Sequence, residues 1–194
     1  MNKNIEHYVF HKENFLDEKY CENCIDELDK CAWEKHEWYN PRTDSIHGRS
    51  GDNELEVLGE PRFSFEIGKI NEFIIENLHS TVLEYVESFE FEWFDGWEGY
   101  TPIRFNRYSP GQTMKLHCDH IHDMFDGEKK GIPVLSIIGI LNDEYEGGEL
   151  IMCEDKKIGT KRGDLLIFPS NFLYPHRIAP VTKGVRYSYV SWVW

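Results

Sequence analysis

The sequence predicts a mainly β fold of the α+β class, in which N-terminal helices pack on one face of a double sheet. Two observations lead to this prediction. Two segments within the first ninety residues have helical spacing of apolar side chains, and from about residue 90 the chain breaks into short aromatic and β-branched runs. The 194 residues, 40% of them hydrophobic, suffice for one core, so we expect a single domain over 1–194.

The helical segments come first along the chain. Residues 13–33 alternate apolar and charged side chains near helical spacing, which predicts an amphipathic helix. Residues 65–88 carry a stronger apolar stripe, made of Ile67, Ile70, Phe73, Ile74, Leu78, Val82, Tyr85 and Val86. Between them, a polar loop at 40–54 either folds over a substrate or is a plain surface connection; its candidate residues are Arg42, His47, Arg49 and Asp52. We expect residues 1–90 to supply this helical support and substrate loop.

The strands follow, separated by turn signals such as Ser109-Pro110-Gly111 and Gly147-Gly148. The predicted strands are 100–108, 114–119, 133–141, 148–153, 164–168, 174–178 and 185–193. Seven strands at this spacing predict a jelly-roll core, or double-stranded β-helix, over residues 91–194. The connection at 120–131 is long and polar for a hairpin.

Composition and charge limit the classes of partner and the cellular location that we expect for this protein. A formal net charge of −14 argues against nucleic acid or an anionic membrane surface as the main partner. No apolar run approaches the length of a membrane span and the first residues lack a signal-peptide pattern, so we expect a cytoplasmic protein. Cys21, Cys24 and Cys31 raise the alternative of a zinc site, but no second C-x-x-C accompanies them, which favours buried thiols.

The most informative pattern is His117-x-Asp119 with a distant His176. Side chains two apart on a strand share a face, so the first two residues point the same way while Cys118 points away. Two imidazoles and one carboxylate form the ligand triad that suits non-haem iron(II). The sequence therefore predicts a catalytic metal site formed by His117, Asp119 and His176. Arg186, ten residues after the last ligand, offers an always-charged fork for a carboxylate.

Four stretches around these residues resemble the Fe(II)- and 2-oxoglutarate-dependent dioxygenases, closest to the prolyl 4-hydroxylase and PKHD-type hydroxylase branch. The stretches are FNRYSPGQTMKLHCDH (105–120), LNDEYEGGELIM (141–152), KRGDLLIFPSNFLYPHRIAPVTKG (161–184) and VRYSYVSWVW (185–194). They cover about the C-terminal half of the chain. The ligands, the Gly-Gly turn, the G-D-L-x-x-F-P strand and the arginine all fall in the order of that family.

The resemblance implies a role for each matching residue. Fe(II) would be held by the triad, and the distal carboxylate of 2-oxoglutarate by Arg186, Tyr108 and Ser188. The wall of the co-substrate pocket would be formed by Ile138, Ile140 and Leu150, although relatives place a tyrosine at position 140. O2 is the oxidant, succinate and CO2 are the co-products, and ascorbate joins the expected cofactors.

The leading expectation for the substrate is a prolyl residue of a peptide or protein. The second candidate substrate is a free amino acid or another small molecule. AlkB-like nucleic-acid demethylation is disfavoured, because that family carries a second arginine where this chain has Trp192. Halogenation is disfavoured because related halogenases have Gly or Ala where this chain has Asp119. The non-enzyme alternative is an inactive cupin-like binding module. His120 and His122 are interpreted as loop residues near the mouth of the site.

Overall fold

The computed structural model describes residues 4–40, 45–47, 53–89, 96–119, 133–153 and 155–194. Its helices are α1 (Glu18–Leu28) and α2 (Phe65–Glu87), with 3-10 turns at Ile5–Tyr8 and Glu60–Arg62. The strands are β1 (Phe10–Lys12), β2 (Glu34–Lys35), β3 (Trp38–Asn40), β4 (Ser45–His47), β5 (Glu56–Leu58), β6 (Arg104–Tyr108), β7 (Met114–His117), β8 (Leu135–Ile140), β9 (Glu146–Gly147), β10 (Leu150–Met152), β11 (Lys156–Ile158), β12 (Leu165–Pro169), β13 (His176–Ile178), β14 (Val181–Lys183) and β15 (Arg186–Val193). The predicted 120–131 connection, with His120 and His122, lies outside the described residues, as do Arg42, Arg49 and Asp52.

Two sheets make up the core of the fold. The larger has seven strands in the order β1-β12-β8-β15-β6-β5-β2, and the smaller has four in the order β11-β10-β13-β7. All strand pairs within them are antiparallel. An apolar cluster that includes Ile140, Leu150 and Phe168 joins residues of both sheets. The predicted jelly-roll double sheet is confirmed.

The two helices cover the outer face of the larger sheet, as the sequence predicts. Each begins at a side-chain cap: Asp17 accepts from the Tyr20 backbone N–H at 2.7 Å, and Ser64 accepts from the Ile67 N–H at 3.2 Å. Their buried side chains share one core cluster with Tyr187 and other outward-facing strand residues. Among the described residues, no helix is both long enough and apolar enough to span a membrane.

Several element boundaries differ from the sequence prediction. α2 agrees within a residue, but α1 is eleven residues long instead of spanning 13–33. The reason is local: Asn14 has a positive φ of 53° and donates its backbone N–H to Asp164, and the helix starts only after the Asp17 cap. Strands β1, β2 and β5, which precede residue 90, also join the larger sheet and extend it at both edges.

The predicted Gly147-Gly148 turn has a steric basis. Both residues have positive φ, 75° and 65°. A Cβ on Gly147 would lie 2.3 Å from the Pro180 carbonyl oxygen, so no larger residue fits there. The turn leads directly into β10, which pairs with β13, the strand that carries His176.

Candidate active site

Two neighbouring strands bring the predicted triad together. His117 is the last residue of β7 and His176 the first of β13, and they lie opposite each other in the ladder. Their ring centroids are 4.3 Å apart. Asp119 follows β7 by two residues, and its carboxylate lies beside both rings. Residues separated by 59 positions in the sequence thus become adjacent through one strand pairing.

The three side chains direct their ligand atoms to one point. Asp119 Oδ1 lies 3.3 Å from His117 Nε2 and 3.8 Å from His176 Nε2. One ligand atom from each residue fits within 4.8 Å of the others, and this is the one group of His, Cys, Asp or Glu with such geometry in the described part of the chain. Asp119 and His176 are buried, while His117 is partly exposed. The triad therefore has the donors and the spacing to hold a metal ion, whereas the cysteines of α1 do not join such a group.

Backbone carbonyls fix which nitrogen each imidazole offers. His117 Nδ1 lies 2.8 Å from the Lys115 oxygen, and His176 Nδ1 lies 3.2 Å from the Tyr174 oxygen. A carbonyl oxygen only accepts, so each Nδ1 carries the proton and donates it. Each Nε2 is then left with its lone pair on the side of Asp119, the arrangement that metal-binding histidines adopt when their other ring nitrogen donates to an oxygen.

The charge states of the triad suit metal binding. Burial alone would raise the pKa of Asp119, but the two histidines and a hydrogen bond from Ser136 Oγ at 2.6 Å hold this pKa well below its usual range. Burial lowers the pKa of His176 to about 4. At neutral pH the carboxylate is therefore ionised and His176 is neutral. These are the protonation states in which both groups can coordinate a cation.

A buried guanidinium lies at the other end of the same pocket. Arg186 is 1% exposed, and its Nη1 donates to Ser188 Oγ at 2.7 Å. Its register partner on β6 is Tyr108, whose ring centre is 5.1 Å from the guanidinium carbon. The Nε of Arg186 is buried without an acceptor, and no carboxylate of the described residues pairs with it. The guanidinium at this end of the pocket therefore still has an N–H donor available for an anion.

The apolar residues predicted to wall the pocket divide into two groups. Ile138 lines the pocket together with Ile178 and Val190. Ile140 and Leu150 are buried in the apolar cluster between the sheets but do not belong to the lining. The alternation along β8 places Ile138 and Ile140 on the same face, and Ile138 is the one closer to Ser136 and the triad.

Comparison with known proteins identifies the family. Residues 103–194 match the model of the 2OG-Fe(II) oxygenase superfamily. A PKHD-type hydroxylase from Parvibaculum lavamentivorans is 30% identical over 177 residues, which cover 88% of this chain and 71% of that protein. The chain belongs to the 2OG-Fe(II) oxygenase superfamily, in its PKHD-type and prolyl hydroxylase branch.

Other members of the superfamily extend the comparison. A PKHD-type hydroxylase from Stenotrophomonas maltophilia is 37% identical over 99 residues, which are 48% of this chain and 43% of that protein. The matched region thus spans less than half the length of that relative. The prolyl hydroxylase of Trichoplax adhaerens, in complex with a hypoxia inducible factor peptide fragment, has the same fold. Its TM-score is 0.66 at 18% identity, with 96% of this chain and 83% of that chain covered.

Membership in the superfamily implies Fe(II), 2-oxoglutarate and O2, and the residues present fit the first two. The His-Asp-His donor set suits Fe(II). The orphaned Nε of Arg186 suits one end of a dicarboxylate. The oxygenase fold also brings into the pocket several residues to which the sequence analysis gave no role in the site, namely Arg104, Asn106, Met114, Ile178, Val190 and Trp192. Counting back in twos from Tyr108 would have found Asn106 and Arg104 on the same strand face.

Proposed function

We propose that this protein is an Fe(II)- and 2-oxoglutarate-dependent dioxygenase that hydroxylates a prolyl residue of a peptide or protein. The observation that carries this proposal is the pairing, in one pocket, of a converging His117-Asp119-His176 triad with the unpaired guanidinium of Arg186. The first arrangement binds a metal, and the second binds the anionic end of a co-substrate.

The co-substrate end is assigned to three residues. Arg186 would bind the distal carboxylate of 2-oxoglutarate, since its Nε has no acceptor within the described chain. Ser188 accepts from Nη1 and so holds the guanidinium plane in place. Tyr108 lies beside it, and burial raises the pKa of this phenol, so it stays protonated and can donate. Ile138 lines the pocket between the two ends with an apolar side chain.

The metal end is assigned to the triad. His117 and His176 would each donate the Nε2 lone pair, and Asp119 the Oδ1 that faces them. The hydroxyl of Ser136 donates a hydrogen bond to Oδ2 and keeps the carboxylate from rotating. When bound, Fe(II) with 2-oxoglutarate and O2 supplies the oxidising power that converts a C–H bond to C–OH and releases succinate and CO2.

The substrate class is supported by relatives of the same fold. The Trichoplax adhaerens structure holds a peptide fragment, and the branch includes prolyl hydroxylases. The net charge of −14 and the tryptophan at position 192 disfavour the nucleic-acid alternative. We also infer a cytoplasmic location, which the unbridged buried thiols of Cys21 and Cys24 support.

The test is an assay of the purified chain with Fe(II), 2-oxoglutarate, ascorbate and proline-containing peptides. We expect hydroxyproline, seen by mass spectrometry as the gain of one oxygen atom, in step with succinate. The matched variants are His176→Ala, which should lose both products, and His79→Ala on α2, which should keep both. Succinate without hydroxyproline on any peptide would reject the prolyl substrate. Absence of both products at full Fe(II) loading would reject the dioxygenase and favour the binding-module alternative.

A further inference from the structure

A second guanidinium lines the candidate active-site pocket. Arg104 is the first residue of β6 and shares its inner face with Asn106 and Tyr108. Its guanidinium carbon lies 5.1 Å from the ring centre of Trp192, which lines the same pocket. Trp192 is the register partner of Ser136, the residue bonded to Asp119. Arg104 is therefore at the triad end of the pocket.

Arg104 makes no ion pair in the described part of the chain, and the Asp119 carboxylate acts on it only from beyond ion-pair distance. Its Nε is buried without an acceptor, and no carboxylate there lies within ion-pair distance of it. Arg107, on the outer face of the same strand, shows the contrast, because Glu56 Oε2 lies 2.9 Å from its Nη2. Burial lowers the pKa of Arg104, but a guanidinium stays charged at neutral pH. A cation held this way in a pocket destabilises the empty protein unless an anion arrives.

The co-substrate does not account for both guanidiniums. In the ladder between β15 and β6, Arg186 pairs with Tyr108, and Arg104 pairs with Val190. These two pairs are four residues apart along the strands. At about 3.3 Å per residue, the Cα atoms of the two arginines are roughly 13 Å apart along the strands. One carboxylate of 2-oxoglutarate is assigned to Arg186 and the other would lie at the metal, so neither is left for Arg104. The pocket thus offers one anion site more than the co-substrate fills.

Solvent reaches Arg104 from a second side. An open groove between β2 and β5 is lined by Arg104, His36 and Val57, with Glu34, Lys35 and Glu37 at its rim. The rim carboxylates make the groove itself a poor anion site, and Glu34 already pairs with Arg62. The favourable position for an anion is therefore on the pocket side of Arg104, beside Trp192.

We propose that Arg104 is a specificity-determining residue that binds a carboxylate of the primary substrate beside the carbon to be oxidised. This inference rests on the proposed function and narrows its substrate to acids. The carboxylate could belong to a free or chain-terminal proline, or to an acidic side chain next to an internal proline. A guanidinium held against an aromatic ring still offers its planar fork of N–H groups, which a carboxylate matches in two bonds.

The first experiment compares acids with their matched amides. The chain, loaded with Mn(II) and 2-oxoglutarate, is titrated calorimetrically with N-acetyl-L-proline against N-acetyl-L-prolinamide. A second pair, acetyl-Gly-Pro-Glu-Gly-amide against its Gln counterpart, tests the side-chain source. We expect one acid to bind about tenfold to a hundredfold more tightly than its amide, as for a charge-assisted pair. Arg104→Met should remove the preference, Arg104→Lys should keep part of it, and Arg107→Met should leave it unchanged.

The second experiment measures stability without any substrate. Arg104→Met removes a partly exposed charge whose Nε has no acceptor and keeps a long apolar side chain against Trp192, so the melting temperature should stay the same or rise. A fall of more than about 4 °C would mean that Arg104 is a packing residue and would overturn the proposal. So would equal binding of acid and amide, or no binding of either, by the wild-type chain in both pairs.

The outcomes separate this proposal from the prolyl assignment. Acid binding that depends on Arg104, with succinate formed but no hydroxyproline, would keep the carboxylate site and reject proline as the substrate. Hydroxyproline formed equally on acids and amides, and unchanged in Arg104→Met, would keep the prolyl hydroxylase and reject the carboxylate site.

Discussion

At the scale of single residues, Ser136 shows how a hydroxyl outside the triad controls it. Its Oγ donates to Asp119 Oδ2 at 2.6 Å and contacts Ser170 Oγ at 2.8 Å, all in a buried setting. Ser136→Ala frees one carboxylate oxygen, and we expect metal affinity to fall by about tenfold to a hundredfold, as for other outer-shell partners. Titration with Mn(II) measures this loss. Ser170→Ala, which leaves the bond to Asp119, is the control and should have a smaller effect; equal losses would contradict the assigned role.

Arg186 gives a second prediction at this scale. Arg186→Met keeps the length of the side chain but removes the charge and the bond to Ser188 Oγ. Because a charge-assisted contact is lost, the KM for 2-oxoglutarate should rise by about tenfold to a hundredfold with metal binding unchanged. Succinate formation at varied 2-oxoglutarate measures the shift. The exposed pair Arg177–Asp155 supplies the control variant Arg177→Met, which should behave as wild type. An unchanged KM in Arg186→Met would remove Arg186 from the co-substrate site.

At the scale of elements, the pairing of β8 with β15 depends on a missing side chain. Gly139 and Tyr189 are register partners, and a Cβ on Gly139 would lie 1.9 Å from Tyr189 Cζ. The phenol fills the space over the glycine and reaches the helices on the outer face. Gly139→Ala must therefore displace a fully buried ring, and we expect a loss of about 1–3 kcal/mol, measured by urea unfolding. Gly159→Ala, with open space around its Cβ, is the control. Equal stability of the two variants would contradict this packing.

These elements also explain how much the sequence could predict. The triad and Arg186 were predictable because alternation within a strand and a fixed chain order identify them. Arg104 was within reach of the same alternation, since it lies four residues before Tyr108 on one strand, but Ser136 was not, because it reaches the pocket through the pairing of β8 with β15, whose residues are far apart in sequence. The edge strands β1, β2 and β5 were missed because two or three residues are too few to show a period.

At the scale of the whole molecule, the core between the helices and the larger sheet holds two thiols and two phenols whose pKa values are raised. Burial raises the pKa of Cys21 to about 11 and that of Cys24 to about 12. Burial, with Asp29 beside it, raises the pKa of Tyr187 to about 12, and burial raises that of Tyr189 well above 10. These groups connect α1 to β15, so their ionisation is coupled to separation of the helices from the sheet.

The sign of the resulting pH dependence follows from the direction of these shifts. Each folded pKa exceeds the unfolded value of about 8.5 for cysteine or 10 for tyrosine. The unfolded chain therefore loses protons first, and the stability present below pH 8.5 is lost as pH rises towards 12. We expect the urea midpoint to fall steadily over this window. Tyr189→Phe should weaken this dependence without loss of stability at neutral pH, because the Tyr189 hydroxyl is buried without a partner. A urea midpoint that stays constant between about pH 8.5 and 12 would show that the helices do not seal the core as described.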